Sequence, residues 1–152
     1  MATQTKPETA RKTRPHKKGR LLLVMNREEM RRLRAVLKPL EATIDWAVDV
    51  DSAHVAMDAQ DAYDAVVVDD TLPEEGWQQV MESARKLGVK APFLVCTNVE
   101  RSDRFLTQSK KTFIADLLMR PYVDEIVRER VRHALETDQT EPFPGATVPS
   151  HQ

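Results

Sequence analysis

Residues 63–73 read YDAVVVDDTLP, with Val66, Val67 and Val68 running unbroken into Asp69. A short apolar run closed by turn-forming residues predicts a strand covered on both faces, the kind that builds parallel sheets. Asp69 then falls at the carboxyl end of that strand, where open α/β sheets bind their ligands. A carboxylate in such a place is costly to bury alone, so its neighbours decide what it does.

Outward from this strand the chain alternates strand and helix. Leu21–Met25 is an apolar run that reads as a second central strand. Met30, Leu33, Leu37 and Leu40 recur at helical spacing over residues 27–38, with Pro39 near the stop. Ile44, Trp46 and Val48 alternate over Thr43–Val48, which predicts a strand with one better-covered face. Ser52 is placed to cap a short helix running through Gln60 and carrying Val55, Met57 and Ala59. Trp77, Val80, Met81, Ala84 and Leu87 mark a third helix, stopped by Gly88. Pro92–Cys96 and Ile114–Met119 read as the fourth and fifth strands. Between them residues 99–111 form a weaker helix anchored by Phe105 and Leu106. Val123–Leu135 closes the pattern with Ile126, Val127, Val131, Ala134 and Leu135 inward. Such alternation predicts right-handed βαβ units and an α/β fold. The sheet is expected to be five-stranded, parallel and doubly wound, in the flavodoxin-like order 2-1-3-4-5.

The 152 residues suit one domain with a real core. The net charge of −1 conceals an asymmetry. Residues 1–20 hold seven Lys or Arg and one Glu (+6), residues 21–136 sixteen basic and twenty-one acidic groups (−5), and residues 137–152 two acids (−2). Residues 1–19 are therefore expected to be a disordered basic arm, 20–136 the folded domain and 137–152 a loose, proline-rich tail. The single cysteine, Cys96, lies in the apolar run PFLVC and reads as a small buried hydrophobe. No stretch approaches the ~20 apolar residues of a membrane span, and the first twenty carry charge without an apolar stretch. A cytoplasmic location follows as the default expectation.

In the order 2-1-3-4-5, the carboxyl ends of strands one, three, four and five converge. They deliver Met25 and Asn26, Asp69, Thr97, and Arg120 followed by Pro121. A carboxylate, a hydroxyl and a guanidinium around one pocket suit a phosphoryl group, with the carboxylate as acceptor. Each also has a plainer reading. Thr97 serves equally to cap the segment after it, and Arg120 is expected to pair with Asp69, there being no other cation among these strand ends. Asp70 should face the opposite side, as a solvated or helix-facing charge. The four histidines have no metal-site spacing, and P-loop, GxGxxG and GxSxG motifs are absent.

Over residues 20–136 the chain resembles the receiver domain of bacterial response regulators. The resemblance rests on Asp69 with Leu72-Pro73 close behind, Thr97 after the fourth strand, and Arg120-Pro121. It implies that Asp69 stands where a phosphoryl group from a histidine kinase is accepted, and that Thr97 and Arg120 stand where it is contacted. Several positions depart from the pattern. Met25 and Asn26 occupy the positions of two acidic residues that hold Mg²⁺, and a thioether and a neutral amide are poor ligands for that ion. Arg120 replaces a lysine, Leu117 an aromatic residue, and Lys111-Thr112-Phe113 a stretch of small residues; the Pro73–Gly76 turn is short. Without Mg²⁺ to neutralise developing charge, phosphoryl transfer should be slow.

The reading that follows is a degenerate, pseudo-receiver signalling protein, not an enzyme, that acts by protein–protein contact largely without phosphorylation and binds Mg²⁺ weakly or not at all. Its partners are expected to be a histidine kinase or a downstream signalling protein. By resemblance, the docking surface comprises exposed parts of residues 99–111 and 120–134, with Arg104, Lys110, Lys111 and Arg128 available to an acidic partner. A phosphorylated single-domain switch at Asp69 is the alternative. A second is binding of nucleic acid or an anionic surface through the basic arm, which lacks interleaved aromatics. An aspartate-nucleophile phosphatase ranks last, since it needs a second aspartate where Thr71 stands.

Overall fold

The computed structural model describes residues 19–59, 63–112 and 114–137, with side chains throughout except at 106–112. The basic arm up to residue 18, the tail from 138, Gln60, and the Leu106, Lys110 and Lys111 side chains lie outside this description. Five strands alternate with five helices: β1 (Arg20–Val24), α1 (Arg27–Leu37), β2 (Thr43–Ala47), α2 (Val50–Ala59), β3 (Ala65–Asp69), α3 (Gly76–Leu87), β4 (Phe93–Asn98), α4 (Val99–Thr112), β5 (Ile114–Arg120) and α5 (Asp124–Glu136). All strand pairs are parallel, in the order β2-β1-β3-β4-β5.

The central strands are apolar because helices cover both their faces. Leu21 through Met25 and Ala65 through Val68 are wholly buried. Their alternation feeds two separate layers. Leu22, Val24, Val66 and Val68 pack with Ala53, Met57, Trp77, Val80 and Phe105 beneath α2, α3 and α4. Leu21, Leu23, Met25 and Val67 pack with Met30, Leu33, Leu37, Val127 and Val131 beneath α1 and α5. Trp77 and Phe105 meet edge-on at 4.7 Å, which ties α4 to α3.

Local chemistry sets the helix starts and one tight turn. Asn26 Oδ1 accepts from the Glu29 amide at 2.8 Å and caps α1. Asp49, not Ser52, caps α2: its Oδ1 accepts from the Ser52 amide at 2.9 Å, while Ser52 Oγ accepts back from the Asp49 amide at 3.2 Å. Serine is the reciprocal member of the capping box, three residues inside the helix. Between β3 and α3, Glu74 and Glu75 both take positive φ, 58° and 57°. Gly76 itself is helical, and the turn needs glycine there for space, since a Cβ would lie 2.8 Å from Leu72 Cβ.

Three face assignments differ from the sequence reading. β2 is an edge strand, so its buried residue is Ala47, while Trp46 (37% exposed) and Val48 lie open on the other side. In α2, Ala53 and Met57 turn inward and Val55 is 64% exposed. Ile126 is exposed on the first turn of α5. Trp46 and Ile126 lie within two residues of an element's end, where periodicity has too few repeats to fix the phase, and in α2 the apolar residues 55, 57 and 59 are not at helical spacing.

Trp77 fills the α3 layer without exposure. Trp77→Ala is expected to lower unfolding free energy by about 3–5 kcal/mol, measured by urea denaturation.

Candidate functional site

The carboxyl ends of β1, β3, β4 and β5 converge on a buried cluster of charged groups. The doublet Asp69-Asp70 divides between the two sides of the sheet. Asp69 stays in register with Ala65 and Val67 toward α1 and α5, and Asp70 turns with Thr97 toward α4. Both carboxylates are buried.

Arg120 spans the division. Its Nη1 and Nη2 each lie 3.2 Å from Asp69 Oδ1, and Nη2 is also 3.2 Å from Asp70 Oδ1. Nη1 reaches Glu29 Oε2 at 3.1 Å, and Nε donates to Asn98 Oδ1 at 2.9 Å. Nη1 also lies 3.3 Å from the Tyr122 hydroxyl, and only a guanidinium presents enough donors, fixed in a plane, to bond five side chains at once. Tyr122 packs beside it and donates its hydroxyl hydrogen to Glu29 Oε2. Burial pulls the Arg120 pKa down, but the Asp69 charge and the Asp69 and Glu29 hydrogen bonds outweigh it, so the group is held above its ordinary value. Burial pushes the Tyr122 hydroxyl up, and Glu29 adds to that.

Asp70 is the better-bound carboxylate. Thr97 Oγ1 donates to its Oδ2 at 2.6 Å, and Arg101 bonds both oxygens in bidentate fashion, at 2.9 Å each. Arg101 stands one turn into α4, so this pair fastens that helix to the end of β3. Arg104 follows three residues later, over the Phe105 and Trp77 rings at 5.0 and 5.7 Å and 3.7 Å from Asp70. Burial pushes the Asp70 carboxyl up, but the Arg101 and Thr97 hydrogen bonds and the Arg101 and Arg120 charges bring it below the usual range.

Asp69, Thr97 and Arg120 therefore lie in one neighbourhood, with Arg120 on Asp69 and Thr97 on Asp70. Arg120 is not the only cation there, because Arg101 and Arg104 arrive from α4. Asp70 is not solvated; of the two roles considered for it, facing a helix is the one it fills. Of the residues expected at a docking surface, Arg104 lies against the α3/α4 layer, whereas Arg128 donates to Val36 O at the end of α1, across the sheet. Leu117 is buried beneath α4. Glu29, Asn98, Arg101 and Tyr122 were not singled out in the sequence. The signals available were helical spacing from the strand ends, Glu29 three residues past Asn26 and Arg101 four past Thr97.

A divalent ion at these strand ends would need oxygen donors after β1. The Met25 side chain is buried in the α1/α5 layer, and its carbonyl accepts from Trp46 Nε1 at 2.8 Å. Asn26 Oδ1 is occupied in capping α1, and Asp69 Oδ1 holds the guanidinium. After β1, then, neither Met25 nor Asn26 offers such an ion a carboxylate.

No family model matches the chain, and no curated protein matches it in sequence. Solved structures match it in fold. The receiver domain of a Francisella response regulator is 15% identical, aligning over 78% of this chain and 97% of its own, with a TM-score of 0.66. The receiver domain of a Pseudomonas aeruginosa sensor histidine kinase is 18% identical over 78% of this chain and 98% of its own, TM-score 0.66; that protein coordinates a magnesium ion in its active-site cleft. A Rhodopirellula baltica structure described as an adenylate cyclase is 15% identical over 88% and 95%, with a TM-score of 0.68. The chain has the receiver fold, a flavodoxin-like doubly wound sheet in the order 2-1-3-4-5.

Two outcomes test the charged cluster. Arg120→Ala should take the cation from buried Asp69 and half-buried Glu29, leaving Asp70 to Arg101, and lower the thermal midpoint by about 5–10 °C in a melting scan. Asp70→Asn should lower unfolding free energy near neutral pH by about 2–4 kcal/mol. Because folding depresses the Asp70 pKa, the native state binds that proton less readily than the unfolded chain. Its stabilisation is complete above the ordinary carboxylate pKa of about 4 and is lost as pH falls through the depressed folded value. Urea titrations down the acid range should show a shallower loss of stability in Asp70→Asn than in the parent chain.

Proposed function

We propose that this chain is a receiver-type signalling module that acts by protein contact, catalyses no reaction of its own and does not depend on phosphorylation of Asp69. The observation that carries this reading is the Arg120 guanidinium seated on Asp69 Oδ1, with Asp70 and Glu29 closing around it. A phosphodonor would have to approach a carboxylate already paired with a cation, without the metal that offsets the charge of transfer. Thr97 is committed to Asp70, so the hydroxyl that would follow a phosphoryl group has another bond to break first. Weak or absent Mg²⁺ binding is part of the same proposal.

Protein contact is supported by exposed apolar residues around the strand ends. Val99 opens α4, Val123 precedes α5, and Ile126 lies on its first turn, all three exposed. Apolar groups left open beside a charged cluster suit a protein surface with a hydrophobic centre and a polar rim. The partners proposed are a histidine kinase or a downstream signalling protein. Among the described residues no helix is long and apolar enough to cross a membrane.

A phosphorylated switch is the second reading, and one feature favours it: Asp69 Oδ2 accepts no hydrogen bond from the described residues. Incubation with acetyl phosphate and Mg²⁺, read by intact mass, separates the two. The expected result is no adduct on the parent chain. An adduct of one phosphoryl group that requires Mg²⁺ and vanishes in Asp69→Asn would establish the switch instead.

A further inference from the structure

We propose that the flank of α1 that faces β2, together with Trp46, binds single-stranded nucleic acid. This function goes beyond the protein-contact reading and does not rest on it. Arg27, Arg31, Arg34 and Lys38 stand at steps of four, three and four residues, and all four are exposed. That spacing puts them in one row, positive charges about 5–6 Å apart along about 16 Å of helix. The row's side is fixed by its neighbours. Glu29 and Val36 occupy the flank toward α5, where they meet Arg120 and Arg128. Arg27 occupies the opposite flank, its guanidinium 5.9 Å from the centre of the Trp46 ring on β2. None of the four has a carboxylate partner among the described residues, although residues 21–136 carry a net −5 by their sixteen basic and twenty-one acidic groups.

Trp46 supplies what a charged row lacks. It is 37% exposed on the free edge of the sheet, yet its Nε1–H is bonded to Met25 O at 2.8 Å, which holds the indole in place. A fixed aromatic plane at the end of a basic row is the combination that binds single strands, phosphates on the cations and a base on the ring. The other end of the row lies near the point where the chain enters β1. Gly19 O accepts from the Thr43 amide at 2.9 Å, so the chain enters β1 beside the start of β2, next to the turn that follows Lys38. Residues 1–20, net +6, therefore join the domain at that corner. Acidic polypeptide would use the cations but leave the ring without a purpose.

The test uses the full chain and a fluorescein-labelled oligothymidylate of about 16 nucleotides, with binding read by anisotropy from about 50 to about 200 mM salt. The association constant should fall steeply across that range. Arg27→Gln/Arg31→Gln/Arg34→Gln should weaken binding at least tenfold and reduce the slope of log K against log salt by about 2. Tryptophan emission should be quenched on binding, and the quench should vanish in Trp46→Phe. Absence of binding at the lowest salt would overturn the proposal. So would an unchanged slope in the triple variant with no quench in the parent chain, which would place binding in residues 1–18 alone. Capture of polyglutamate but not the oligonucleotide, lost in the triple variant, would overturn it in favour of an acidic protein partner.

Discussion

One half-buried guanidinium governs the carboxyl end of this sheet. Three carboxylates from two elements, Glu29 on α1 and the Asp69-Asp70 doublet at the end of β3, lie within 3.2 Å of Arg120. Left without a cation, such a group of acids would repel and would carry the full penalty of buried charge. Arg120 meets them with a planar fork, and Asn98 receives the remaining Nε–H. Strand pairing delivers it there, because β5 extends beside β4 until Asn98 and Arg120 stand opposite one another.

The consequences reach both helical layers. Through Glu29 and Tyr122 the cluster touches α1 and the start of the β5–α5 connection. Through Asp70 it touches α4, which Arg101 fastens and which Arg104 and Phe105 press onto Trp77. Movement of α4 would therefore break a bidentate ion pair and an aromatic contact together. Within the protein, the α4 side is held by the Asp70–Arg101 ion pair and the Trp77–Phe105 contact.

The two residues after β1 have local roles of their own. Met25 is a core residue and Asn26 a helix cap, so each has a structural task. The acids at this corner are Asp69, Asp70 and Glu29, and Arg120 meets all three.

Much of the architecture was legible in the residues alone. Unbroken apolar runs at Leu21–Met25 and Ala65–Val68 marked the central strands, and the intervening helical stripes fixed a parallel, doubly wound sheet. The Arg120–Asp69 contact was legible too, since topology carries both residues to one edge. What periodicity could not give was the division of the Asp69-Asp70 doublet. Which carboxylate takes Thr97 and Arg101 depends on how α4 packs over the strand ends, and no local pattern encodes that. The faces of Trp46 and Ile126 were equally hidden, because each lies at an element's end, and that of Val55 because α2 lacks a clear helical stripe. The sequence by itself thus determined the order of elements and the layers they bury, through hydrophobic period. Only the tertiary structure decided which charges share a pocket, because ion pairing is set by distances between residues up to 91 positions apart in the chain.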